Sequence, residues 1–419
     1  MNRPQFIGTV ISRSLAPVAI GLLIGGLTAG CLGSKSRSTT PFEFKFAADK
    51  NATPGVYAGN FGFDFGTSAT NAPGDGLTSE LPYFLSVALP EGNYQVTATF
   101  GDRSTSTTNT VKAESRRLMV ENLATKPGEF VTRNFVVNIR RPDYPGGTVH
   151  LKPREAASEA LTWDGKLTLE FSGTRPTLRA LDITPARTAL TVFLAGDSTV
   201  CDQPAEPWNS WGQMLPRFFN AHAAVANYAE SGESLRSSLD AHRFDKIFSV
   251  ARPGDFLLVQ FGHNDMKDRA PNALSTYQEN LKQIVARARQ AGLTPVLVTS
   301  MERKTGLRSN TLAGYPAAVR TVARDCDAAL IDLNAASLVL YRALGTNLDL
   351  AFQDGTHHNN YGSYELARCV VEGIKANHLA LARFLAPDVT AFDPARPDDP
   401  RTCCLPASPA QDNTKPEGN

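Results

Sequence analysis

Residues 191–200 read TVFLAGDSTV, an apolar run of strand length that stops at Gly196 and leaves Ser198 just past its end. Four runs of the same kind follow: AAVANY from residue 223, FLLVQF from 256, TPVLVTS from 294 and ALIDL from 329. Between them lie longer amphipathic segments, with helices expected near 211–221, 235–250, 273–291, 312–326 and 361–376. Continuous apolar strands alternating with helices are what a parallel sheet covered on both faces requires. The pattern therefore predicts a three-layer α/β/α domain over residues 189–385. Such sheets bind ligands at the carboxyl ends of their strands, where Ser198 falls.

Upstream the rhythm is different. Residues 42–186 contain short alternating runs broken by Gly, Pro and Asn: FEFKF, YFLSVAL, NYQVTATF, RRLMV, FVTRNFVVNI, TVHL, KLTLEF and LRALDI. This pattern predicts an antiparallel β-sandwich, with no helix of convincing periodicity. Residues 386–419 are rich in Pro and Asp without periodicity, and are expected to form a poorly ordered tail.

A chain of 419 residues exceeds what one core usually holds, in keeping with two folded units plus tails. The 42 basic and 41 acidic residues nearly cancel, so no net field argues for a nucleic acid or an anionic membrane surface as partner. In residues 1–30, Arg3 and Arg13 precede an apolar run over 16–27 that is too short for a spanning helix, which needs roughly 20 residues; it reads as a signal peptide. The run closes in LTAGC, which resembles the lipobox of bacterial lipoproteins and implies cleavage before Cys31 and acylation of its thiol; a plain secretory peptide is the alternative. With Leu32 rather than Asp next, the resemblance implies forwarding to an outer membrane where there is one. Residues 31–41 then form a linker rich in Ser and Thr, and a lipid is the sole membrane attachment expected. Five other cysteines remain, Cys201, Cys326, Cys369, Cys403 and Cys404; an odd number cannot all pair, and no CxxC or CxH spacing suggests a metal.

Three further segments carry chemistry. In NYAESGESL, Gly232 precedes a helix start and presents a backbone N–H suited to a developing oxyanion, or is a simple turn glycine. In VQFGHND, Asn264 lies just past the third strand with an amide able to donate to the same oxygen, or to tie down its own loop. His263 beside it reads as structural. In FQDGTHHNNYGSYELAR, Asp354 and His357 stand three apart, close enough for the carboxylate to hold the imidazole tautomer and support the imidazolium. On spacing alone His358 serves as well, and a DxxH pair is also compatible with a metal fragment or a loop hydrogen bond.

Together these blocks, over about 191–376, closely resemble the SGNH (GDSL-like) hydrolase superfamily. The resemblance makes Ser198 the nucleophile, Asp354 and His357 its partners, and Ser198, Gly232 and Asn264 the oxyanion hole, and it favours His357 over His358. GDSTV, WGQ at 211–213, QFGHND, and DGTH followed by YG look most like rhamnogalacturonan acetylesterases, which implies a carbohydrate esterase acting on an acetylated polysaccharide, with no metal or organic cofactor. An acetylxylan or other glycan or lipid esterase of the same fold is one alternative; a glycan-binding surface lipoprotein with an idle hydrolase domain is another. The position after the block-two glycine, usually basic in that family, is Glu233, which leaves open how an acidic pectin is gripped. Residues 42–185 resemble the galactose-binding-like modules sometimes fused to such enzymes; the sandwich either binds a sugar or covers a domain face. Trp163 and Asp164 read as core and turn residues rather than a sugar platform.

Overall fold

The computed structural model describes residues 43–47, 53–72, 76–157 and 160–418. The leader, Cys31 and the linker lie outside the described residues. Pro41–Asn419 form one compact unit.

Five parallel strands build the central sheet, in the order Ala223–Asn227, Leu190–Gly196, Phe256–Gln260, Thr294–Val298, Ala329–Ile331. Successive side chains of a strand point to opposite faces, and here both faces are buried. Val192 and Leu194 join one core with the helices Leu333–Leu344 and Asn360–Ala376. Phe193 and Ala195 join the other, with Arg243–Val250, Ala273–Gln290 and Tyr315–Asp325. This is the expected α/β/α arrangement, and the switch in strand order beside Leu190–Gly196 opens a crevice at the ends of the first three strands.

The upstream region is the expected antiparallel sandwich. A four-stranded sheet (Phe44–Ala47, Ala180–Pro185, Gly92–Phe100, Val131–Ile139) packs on a five-stranded one (Phe61–Asp64, Tyr83–Ala88, Lys166–Ser172, Thr107–Ala113, Arg117–Thr125). Their inner faces share a core that includes Leu85, Val96, Phe135, Leu169 and the stacked rings of Tyr83 and Phe171. TVHL joins neither main sheet: only its Thr148 is in a strand, in a two-residue pairing with Asp143–Tyr144. Trp163 is buried, donates to Glu155 Oε1 at 3.0 Å and meets Tyr228 edge-on, as a core residue does.

Three expectations need correction. The helix expected near 211–221 is a single α turn, Trp211–Met214, that tightens into a 3-10 turn, Leu215–Phe218. The segment expected to be one helix over 235–250 is two, Leu235–Asp240 and Arg243–Val250, because His242 takes a left-handed φ of 61° between them. The segment after 386, expected to be a loose tail, is tied to the body: Asp412 N–H donates to Glu206 O at 2.9 Å, Glu206 N–H to Ala410 O at 2.9 Å, and Ser408 is 2% exposed. All five described cysteines are free thiols, with Cys201 and Cys369 buried and Cys403 and Cys404 exposed.

Candidate active site

The first strand ends at Gly196, and the chain turns at once. Asp197 drives the turn: its Oδ1 accepts from the N–H of Thr199 at 3.0 Å and the hydroxyl of Thr199 at 2.7 Å. Ser198 is thereby held at the crevice, 3% exposed. Trp211 Nε1 donates to Gln260 Oε1 at 2.8 Å, and Gln260 Nε2 donates to Thr199 Oγ1 at 2.8 Å, so the third strand also holds the turn in place.

The late loop meets this serine. His357 Nε2 lies 2.8 Å from Ser198 Oγ, and His357 Nδ1 lies 2.9 Å from Asp354 Oδ2. In the tautomer a carboxylate at Nδ1 selects, Nδ1–H donates to Asp354 and Nε2 accepts from the hydroxyl. Asp354 Oδ1 accepts from the backbone N–H groups of Thr356 at 2.7 Å and His357 at 2.6 Å, which shapes the three-residue spacing into a tight turn. Burial alone would raise the Asp354 carboxyl, but the His357 ring and these two N–H groups outweigh it and hold it well below the usual carboxylate range. The Trp208 ring meets the imidazole of His357 edge-on, 5.8 Å away.

The other histidines have different work. His358 is 2% exposed, its Nε2 lies 2.9 Å from the Tyr341 hydroxyl, and burial pushes its pKa down to about 3, so it stays neutral. His263 has both ring nitrogens against oxygens, Asp197 Oδ2 at 3.2 Å and Met301 O at 3.1 Å.

Gly232 has φ 76°, where a side chain is strained, and an added Cβ would come within 3.0 Å of Lys152 Nζ. Asn264 Nδ2 donates to Glu233 O at 2.9 Å, which joins the second and third blocks and leaves one amide hydrogen. Glu233 itself turns inward: it is 2% exposed, accepts from the Ser237 hydroxyl at the start of the next helix and lies 3.7 Å from Arg243 Nε. Sequence reasoning missed Gln203, whose Nε2 donates to Ser198 O at 2.7 Å and Ser231 Oγ at 3.2 Å, bridging the Ser198 turn to the glycine loop. Its only signal was position shortly after the GDSTV turn.

A serine hydroxyl, an imidazole and a carboxylate in series are the parts of a nucleophilic acyl-transfer site. The model of the GDSL-like lipase/acylhydrolase family matches residues 194–363. The rhamnogalacturonan acetylesterase RhgT of Bacillus subtilis (strain 168) is 37% identical over 212 residues, 45% of this chain and 91% of that protein. The probable rhamnogalacturonan acetylesterase YesY of the same organism is 33% identical over 205 residues, 45% of this chain and 94% of that protein. The uncharacterized esterase YxiM, also from that organism, is 27% identical over 333 residues, 74% of this chain and 81% of that protein, a stretch too long for the catalytic region alone. On this likeness, the chain is an esterase and belongs to the GDSL-like lipase/acylhydrolase family.

Proposed function

We propose that the protein removes O-acetyl groups from a plant cell-wall polysaccharide, rhamnogalacturonan before others, through a Ser198 acyl-enzyme. The hydrogen-bond series from Ser198 through His357 to Asp354 carries this reading. The names of two relatives, one a rhamnogalacturonan acetylesterase and one a probable one, support the substrate class.

In the proposed cycle His357 Nε2 takes the hydroxyl proton as Ser198 Oγ bonds to the acetyl carbonyl carbon, and Asp354 stabilises the imidazolium. The carbonyl π electrons move to oxygen, and the oxyanion is met by the N–H of Ser198, the N–H of Gly232 and the free amide hydrogen of Asn264. The C–O bond to the sugar breaks as His357 returns its proton to the leaving alkoxide. Water then attacks the acetyl-serine, giving up a proton to the same imidazole, and acetate and the free serine are restored. Upstream, an acylated Cys31 would tether the enzyme to the cell envelope, where polymer fragments arrive from outside.

Acetate release from a panel of acetylated polysaccharides, with Ser198→Ala as control, tests the reading. Fastest release from rhamnogalacturonan is expected, with the variant near background. Preference for acetylxylan would move the substrate within the class, and equal rates for wild type and Ser198→Ala would leave a glycan binder with an idle hydrolase fold.

A further inference from the structure

The glycine loop of the site is overlaid by a distant segment of the chain. After its anchorage at Glu206, the chain accepts a hydrogen bond at the Asp412 carbonyl oxygen from Trp208 Nε1 at 2.9 Å, then runs on so that Pro416 is buried. Gly418 crosses the oxyanion groups closely: a Cβ added to it would stand 2.8 Å from Gly232 Cα and 3.0 Å from Asn264 Nδ2. The crevice therefore accommodates an extended polar chain at this point.

Two lysines receive that chain. Lys152 Nζ donates to Ser231 O at 2.5 Å and to the Glu417 carboxylate at 3.1 Å. Lys267 Nζ donates to Asn264 Oδ1 at 2.9 Å and to the Gly418 carbonyl oxygen. Several neighbouring charges are matched: Arg243 forms a two-pronged pair with Glu155, Arg154 pairs with Glu230, and Glu233 lies between Arg243 at 3.7 Å and Lys152 at 4.0 Å. Among the described residues no carboxylate lies within ion-pair distance of Lys267. Burial first, and then the charge of Arg303, lower the Lys267 ammonium from its ordinary value, a state that an incoming anion would relieve.

We propose that Lys152 and Lys267, on either side of Gly232 and Asn264, form a subsite for a uronate carboxylate of the bound polymer, and that Glu417 occupies it when substrate is absent. This rests on the reading of the substrate as an acidic acetylated polysaccharide. It also answers the question left by Glu233. The charge missing after the block-two glycine is supplied from elsewhere in the chain, by Lys152 in the sandwich half and Lys267 beyond the third strand. Charge-assisted hydrogen bonds of this kind carry enough energy to change binding about tenfold when one is lost.

Steady-state kinetics on two acetylated oligosaccharide series, one containing a uronate and one neutral, test the proposal with wild type, Lys152→Met, Lys267→Met and Lys152→Arg. Thermal melting serves as the folding reference. The Met variants are expected to raise KM on the uronate series about tenfold more than on the neutral series, with a smaller change in kcat. Lys152→Arg recovers most of the difference, and added salt raises the uronate KM of wild type more than that of either Met variant. Equal effects on both series, in enzyme that still deacetylates the uronate series, would overturn the subsite alone. Wild type active only on the neutral series would contradict the substrate reading and the subsite with it.

Discussion

A serine hydroxyl is a weak nucleophile until a base removes its proton, and the base and orienting carboxylate proposed for Ser198 both come from one turn, Asp354 to His357. The partners of that serine were legible because the chemistry needs specific residue types, and Asp354 and His357 are close in sequence. The choice between His357 and His358 was not legible from spacing. It is set by the partners of each ring: His357 meets Ser198 Oγ and Asp354, whereas His358, equally buried, turns to the Tyr341 hydroxyl. Gln203 and Lys152 were invisible for a related reason: each acts on the site from a segment with no motif of its own. Asn264 is the residue whose proposed role is most exposed to test. Its side chain meets the glycine loop through one hydrogen bond to Glu233 O. Asn264→Ala is expected to lower kcat by about 100 to 1,000-fold, the usual cost of one oxyanion donor, with a melting temperature within a few degrees of wild type. Unchanged turnover would remove Asn264 from the oxyanion site.

The parallel strands were legible because each is apolar on both faces, whereas the strand Thr107–Ala113 was missed because its sequence, TTNTVKA, is mostly polar. It is nonetheless buried: Lys112 pairs with Glu170 at 3.4 Å and donates to Pro406 O at 2.7 Å, so the outer face of this sheet is covered by the late segment rather than by water. The helix Leu333–Leu344 escaped notice because its start is set by a cap, Asp332 accepting from Ala335 N–H, more than by a clear apolar stripe. The helix Leu235–Asp240 is held from outside by Asp265, whose Oδ1 accepts from Leu235 N–H at 2.8 Å. Burial, with the Asp197 charge adding to it, raises the Asp265 carboxyl from 3.8 to about 7. Between those two values the folded state holds a proton that the unfolded chain releases, so this group makes stability fall as pH rises through that window. Asp265→Asn keeps the acceptor oxygen and removes the titration. Its melting temperature is expected to fall less than that of wild type between pH 5 and pH 8, as read by calorimetry; identical slopes would mean the carboxyl is not titrating there.

The sandwich and the α/β/α half share a buried polar seam, which is why length suggested two folded units where Pro41–Asn419 holds together as one. Arg117 Nε donates to Asp202 Oδ2 at 2.7 Å with both side chains at most 2% exposed, and Arg116 pairs with Glu206 at 2.6 Å. No sequence pattern announces such a seam, because ion pairs between distant segments have no period. Removing one partner strands the other's charge, so Asp202→Ala is expected to destabilise the protein by about 3 to 5 kcal/mol in a denaturant titration while the two halves still unfold together. A loss near zero, or two separate transitions, would mean the seam is wet and the halves independent. The proposed chemistry turns on one atom at the crevice beside this seam, the hydroxyl oxygen of Ser198. Treatment with a fluorophosphonate, followed by peptide mass spectrometry, tests it most directly. A single adduct on the peptide carrying Ser198, formed at a strongly reduced rate in His357→Ala, is the predicted result; esterase activity that survives with Ser198 unlabelled, or an adduct on a different residue, would contradict it.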